Sequence, residues 1–277
     1  MSTTSSKPSV AVHKFASCDG CQLAFLNMGT DLLDLAELVD IVHFVEAGLV
    51  APEQAVDIAF IEGSVSTEED IERIQLIRKN SKLLISIGAC ATSAGLQALR
   101  NLADGDQWLA DMYPQPQFIQ SLKSTEPIKA HVKVDYELWG CPISPGQLKQ
   151  LIKSLLLGAQ PALEKDKLCL ECKRHQVVCT LVTGQNPAQR SCLGAVTATG
   201  CGALCPSAGR ACYGCYGLSD NPNPHALALR FEGFGLVDSE IAQRLLMIHS
   251  NEVINQQEAK YWSDAVENQT GKGNSHD

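Results

Sequence analysis

Eight of the chain's twelve cysteines lie in one stretch of 47 residues: Cys169, Cys172, Cys179, Cys192, Cys201, Cys205, Cys212 and Cys215. Thiolates are soft ligands, and eight at this density divide into two four-thiolate sites. Three chemistries use such a set. Disulfides staple small domains in oxidising compartments. Zinc closes a tetrahedron on four cysteines, usually through two well-separated C-x2-C knuckles. Iron–sulfur clusters take four thiolates from short loops, often with a proline after a ligand. Pro206 follows Cys205 directly, and Gly194, Gly200, Gly202, Gly209, Gly214 and Gly217 are interspersed. Such small residues let backbone N–H groups approach an inorganic core. The spacing favours clusters, with zinc and disulfides as the alternatives.

The other four cysteines occupy three separate turns: Ser17-Cys18-Asp19-Gly20-Cys21, Gly88-Ala89-Cys90-Ala91-Thr92 and Trp139-Gly140-Cys141-Pro142. Each follows a predicted strand, and open parallel sheets bind their ligands at the carboxyl ends of their strands. Four thiols from three turns can therefore converge on one site. The competing reading keeps Cys90 and Cys141 as small buried apolar residues. Glu62, in Ile61-Glu62-Gly63, falls at the same edge and reads as a solvated turn carboxylate, because charged side chains are seldom buried.

The elements that position these turns alternate in type. Strands are expected over 9–15, 39–44, 56–61, 83–87 and 132–139. The third and fourth are almost wholly apolar, as befits strands covered on both faces. A helix is expected over 22–38, interrupted at Gly29. Ser66-x-x-Glu69 reads as a capping box opening a second helix that runs to Lys79. Another helix follows Cys90. Ser144-Pro145 is an N-cap with proline at the first helical position, ahead of the stripe Leu148, Leu151, Ile152, Leu155 and Leu156. This alternation predicts an α/β fold with a doubly wound parallel sheet. Residues 101–129, with Pro114, Pro116 and Pro127, read as an irregular surface excursion and a candidate contact loop.

The net charge of −9 argues against nucleic acid or an anionic membrane surface as partner. No apolar run is long enough to span a bilayer, and residues 1–8 lack an export signal. A cytoplasmic chain is expected to keep its cysteines reduced or bound to metal. No Gly-rich fingerprint follows the first strand, so nucleotide cofactors are expected to bind elsewhere.

The three cysteine turns resemble the proximal-cluster signature of nickel–iron hydrogenase small subunits. The segment from Arg190-Ser191-Cys192 through Cys201-Gly202-Ala203-Leu204-Cys205-Pro206 to Cys212-Tyr213-Gly214-Cys215 is similar to their medial and distal cluster region. The match extends over about residues 9–218 in the same order. It looks most like the small (delta) subunits of cytoplasmic sulfhydrogenases and bidirectional NAD(P)-linked hydrogenases.

That resemblance implies a flavodoxin-like domain over 9–160 after a flexible tail at 1–8, a two-cluster domain over 161–225, and a helical extension and tail over 226–277. It implies three 4Fe–4S clusters and no catalytic residue in this chain. The proximal ligands would be Cys18, Cys21, Cys90 and Cys141. The distal set would be Cys169, Cys172, Cys179 and Cys201, and the medial set Cys192, Cys205, Cys212 and Cys215; Cys179 and Cys192 each complete one cluster, in an order the sequence leaves open. His175 reads as a solvated side chain beside the cluster loops. The chain lacks a nickel-binding cysteine pattern, so hydrogen chemistry falls to an obligate nickel–iron large subunit, with flavin- and NAD(P)-binding and further iron–sulfur subunits beyond. Alternatives are the small subunit of a deazaflavin-reducing or heterodisulfide-reductase-linked hydrogenase, or a zinc-bound interaction module. Residues 231–254 read as one helix, packing on the partner, on the cluster domain or on the chain's own core, with fraying from residue 256 onward.

Overall fold

The computed structural model describes residues 7–270. The expected tail lies outside the described residues but for Lys7 and Pro8, as does 271–277. Two compact units divide the chain, Met1–Leu163 and Glu164–Asp277.

The first unit is built on five parallel strands: β1 (Ser9–Lys14), β2 (Asp40–Phe44), β3 (Val56–Glu62), β4 (Ser81–Ile87) and β5 (Tyr136–Leu138), in the order β2-β1-β3-β4-β5. The sheet reverses its winding between β1 and β3, where doubly wound sheets open a crevice. Helices cover both faces. On one face α1 (Gly20–Leu26), α2 (Thr30–Leu38) and α6 (Pro145–Leu156) bury Phe25, Leu35, Leu148 and Ile152 against Val12, Phe60 and Ile85. On the other, α3 (Glu68–Lys79) buries Ile74 and Ile77 against Ala59, Ile61 and Leu84. Gly29, at φ +61, separates α1 from α2 as its position in the sequence suggested.

Three elements differ from expectation for local reasons. The capping box opening α3 is one residue later: Thr67 Oγ1 accepts from Asp70 N (3.1 Å) while Asp70 Oδ2 accepts from Thr67 N (3.2 Å). β5 is shorter than 132–139, because Asp135 breaks the ladder with its side chain, accepting from Leu84 N (2.9 Å) and from Arg78 (2.6 Å). The excursion contains a short helix, α5 (Gly105–Met112), that buries none of its residues. Trp108, Met112, Tyr113 and Phe118 are exposed there.

The second unit has no named strand among the described residues. Short helices α7 (Cys169–Arg174), α8 (Thr180–Thr183), α9 (Pro187–Arg190) and α10 (Leu204–Ser207) punctuate the cysteine loops. Three longer ones follow: α11 (Pro224–Glu232), α12 (Asp238–Leu246) and α13 (Val253–Thr270). The single helix expected over 231–254 is thus broken. Gly235 at φ +93 turns the chain between α11 and α12, a conformation costly for residues with a Cβ. The polar segment from residue 256 is helical to Thr270 rather than frayed, because Ala259 and Trp262 are buried against this unit's core. That core joins Phe231, Ile241 and Leu245 to Leu193 and Val196 of the cysteine loops, so these helices support the loops directly. Among the described residues no helix is long and apolar enough to cross a membrane.

Candidate functional site

The register of the sheet sets the first site. Lys14 lies level with Glu62, Glu62 with Ile87, and Ile87 with Leu138. The four strands therefore end together, and their turns leave from one edge. After β1, Phe15 N donates to Glu62 O (2.8 Å) and Asp19 adopts φ +65 to open α1. Lys14 Nζ holds the Asp19 carboxylate at 2.6 Å. After β4, α4 (Gly88–Ser93) opens, and Ala89 N donates to Gly140 O at 2.7 Å, tying the Cys90 turn to the Cys141 turn.

Cys18, Cys21, Cys90 and Cys141 come within electrostatic reach of one another: Cys90 with Cys141, Cys18 and Cys21, and Cys141 with Cys18. Burial pushes the Cys90 thiol up to about 12, with Cys141, Cys18 and Glu62 adding to the shift. Burial raises Cys21 and Cys141 too, and Glu62 again contributes. Thiols so placed stay protonated on their own; a cationic core held there would ionise them, since metal ligation requires thiolates. Gly88 leaves room for the Cys21 side chain. At φ +85, any Cβ there would run into Cys21 Sγ.

Glu62 differs from its expected role. It is 2 % exposed, and its Oε1 accepts from Cys21 N at 2.9 Å. Burial raises its own pKa. The backbone donor of Cys21 requires a partner inside the fold, and no sequence pattern announces that need.

The second site is held by loops bracing loops. Glu171, between Cys169 and Cys172, accepts from Gly200 N (2.7 Å) and Ala203 N (3.0 Å), on either side of Cys201. Cys212 N donates to Cys192 Sγ at 3.3 Å, and Gly214 N donates to Cys212 Sγ at 3.3 Å. Leu193 N donates to Cys212 O (3.1 Å). Asn186 caps α9, accepting from Gln189 N. Leu168, Cys192, Ala203, Ala211 and Cys212 form a small apolar core among these loops. From α12, Arg244 reaches the main chain next to Cys192 and that of Cys212. Neither Glu171 nor Arg244 stood out in the sequence. The Cys-x-Glu-Cys order was the available signal for Glu171; for Arg244 there was none.

Cys169 lies within electrostatic reach of Cys192 and Cys179, and Cys172 within reach of Cys169, Cys192, Cys179 and Cys201. Burial, then these neighbours, push Cys172 up to about 11. Cys201 neighbours Cys205, and Cys212 neighbours Cys192 and Cys215. His175 is exposed at the end of α7. All twelve cysteines are free thiols, which counts against the disulfide reading. Among the described residues no group of three His, Cys, Asp or Glu side chains is gathered to hold a single metal ion.

A family model described as NADH ubiquinone oxidoreductase, 20 Kd subunit, matches residues 18–155. The sulfhydrogenase 2 subunit delta of Pyrococcus furiosus is 33% identical over 237 residues, 85% of this chain and 97% of that protein. A vhu subunit of the F420-non-reducing hydrogenase of Methanocaldococcus jannaschii is 31% identical over 239 residues, 76% of this chain and 82% of that protein. Among solved structures, a chain of an NAD+-reducing [NiFe]-hydrogenase in the H2-reduced state aligns with a TM-score of 0.53 at 30% identity, over 57% of this chain and 95% of that one.

Proposed function

The chain belongs to the small-subunit family of nickel–iron hydrogenases, and from that premise we propose that it relays electrons between the nickel–iron centre of a large-subunit partner and an NAD(P)-side partner. One observation supports the reading: four thiols from turns far apart in the chain lie within electrostatic reach of one another at the carboxyl edge of the sheet, where this fold binds ligands. The order β2-β1-β3-β4-β5 is the one flavodoxin-like sheets use, which supports a cluster standing where such folds hold a flavin.

When bound, three 4Fe–4S clusters would supply one-electron sites in series. Cys18, Cys21, Cys90 and Cys141 would hold the proximal one. In the second unit the thiol neighbourhoods favour Cys169, Cys172, Cys179 and Cys192 as one set, which leaves the pairs Cys201–Cys205 and Cys212–Cys215 for the other. This exchanges Cys192 and Cys201 relative to the order read from sequence. The surrounding residues bury Cys21, Cys192 and Cys212, present N–H groups to the sulfurs of Cys192 and Cys212, and fix the loops. None is asked to move a proton. The exposed Trp108, Met112, Tyr113 and Phe118 of the excursion suit contact with a partner subunit. We place the complex in the cytoplasm.

The likeness to a component of an F420-non-reducing hydrogenase favours a second reading in which the same relay serves a different acceptor, and the subunits that copurify separate the two. The decisive test is iron, acid-labile sulfide and zinc per chain after purification without oxygen. About twelve iron and twelve sulfide are expected. About four iron with two zinc would make the eight-cysteine block a structural zinc module and overturn the relay.

A further inference from the structure

Arg244 reaches from α12 to grip the cysteine loops of the second unit by their main chain. Its Nε donates to Ser191 O (2.8 Å), the carbonyl preceding Cys192, and its Nη2 donates to Cys212 O (2.9 Å). The guanidinium lies 4.5 Å from the centre of the Tyr213 ring, and Nη1 approaches Met247 Sδ at 3.9 Å. These contacts fix the group between Cys192 and Cys212, both of which are within its electrostatic reach. The same two cysteines are joined by the Cys212 N–H to Cys192 Sγ bond. On the ligand sets proposed above, one thiol belongs to each of the two second-unit sites.

We propose that Arg244 is the positioning residue of the junction between these two sites, and that its charge raises the potential of the clusters they hold. Its fork spans two carbonyls at fixed geometry, as a guanidinium does and an ammonium does not. A half-buried positive charge stabilises the reduced, more negative state of a neighbouring cluster, and net charge and hydrogen bonding are what set such potentials. The inference rests on the reading of Cys192 and Cys212 as cluster ligands.

The test compares the intact hydrogenase complex, purified without oxygen, carrying Arg244→Gln, Arg244→Lys or Arg230→Gln. The last removes a cation from α11 that stacks on Phe234 rather than on the cysteine loops; it controls for net charge. Redox titration followed by electron paramagnetic resonance reads each cluster. In Arg244→Gln, the oxidised-to-reduced ratio of at least one second-unit cluster at fixed potential is expected to rise about tenfold, which is about 59 mV for one electron. Arg244→Lys is expected to fall between Gln and wild type, and Arg230→Gln to match wild type. If Arg244→Gln does not assemble, Arg244→Lys decides. Wild-type potentials in every Arg244 variant that assembles, or an equal shift in Arg230→Gln, overturn the proposal. A wild-type complex with no second-unit cluster signal instead overturns the relay reading, and this inference falls with it.

Discussion

In the first unit, four thiols are positioned by a parallel sheet; in the second, eight thiols are positioned by one another's loops. Cys18, Cys21, Cys90 and Cys141 need only that β1, β3, β4 and β5 end level, and the register secures that. Fine placement then takes few polar contacts, among them Glu62 to Cys21 N and Ala89 N to Gly140 O. Cys169 to Cys215 have no sheet beneath them. Their loops depend on Glu171, Arg244, N–H to sulfur bonds and the apolar support of α11, α12 and α13. A site on a scaffold is sensitive to space at the edge, while a site made of loops is sensitive to each brace.

The sharpest way to break this contrast is Gly88→Ala. The substitution places a Cβ at φ +85 and into Cys21 Sγ, a cost of about 3 kcal/mol when left-handed strain and overpacking are combined. Iron content should fall by about a third and thermal stability should drop, with the second unit's cluster signals kept. Loss of all iron would show that the two sites do not assemble separately.

Acid is the next largest lever, and it acts on the first unit's core. His13 packs against His43, with ring centroids 4.6 Å apart. Burial first, then His43 and Arg73, lower its pKa to about 3. The unfolded chain, at about 6.5, binds the proton that the fold refuses. The stabilising preference for the neutral ring is therefore complete above pH ~6.5 and is lost as pH falls toward the folded value. Between about pH 6.5 and 5 the loss is about 2 kcal/mol. Denaturation of the full chain at several pH values should show this slope, and His13→Gln should flatten it; an unchanged slope would assign the acid sensitivity to other groups.

The smallest effect falls on the second unit. Glu171→Gln leaves one of the Gly200 and Ala203 N–H donors without its acceptor, costing about 1–2 kcal/mol. Cluster signals from the second unit should broaden as the Cys201–Cys205 loop loosens, with the first unit's signal unchanged. A change confined to the first unit would contradict the idea that loops brace loops.

The same contrast explains what could be read beforehand. The apolar runs of β3 and β4, the Gly29 break and the Ser144-Pro145 start of α6 all depend on neighbours in sequence, and all were legible. So was the edge from which the three cysteine turns leave, because strand ends follow from strand positions. What escaped depends on distant partners. Asp135 shortens β5 by bonding Leu84 N. Glu62 is buried because Cys21 N needs an acceptor. Arg244 stands 32 residues after Cys212, whose carbonyl it holds.

The level ends of the strands also impose an order in time. Cys18 and Cys21 are synthesised early, but Cys141 reaches the edge only when β5 has docked on β4, and β5 pairs through just three residues, Tyr136 to Leu138. The first site therefore cannot be complete on a chain still lacking β5. On the ligand set proposed for it, the fourth thiol arrives with the latest and shortest strand, so three pairs of residues decide whether that set can close.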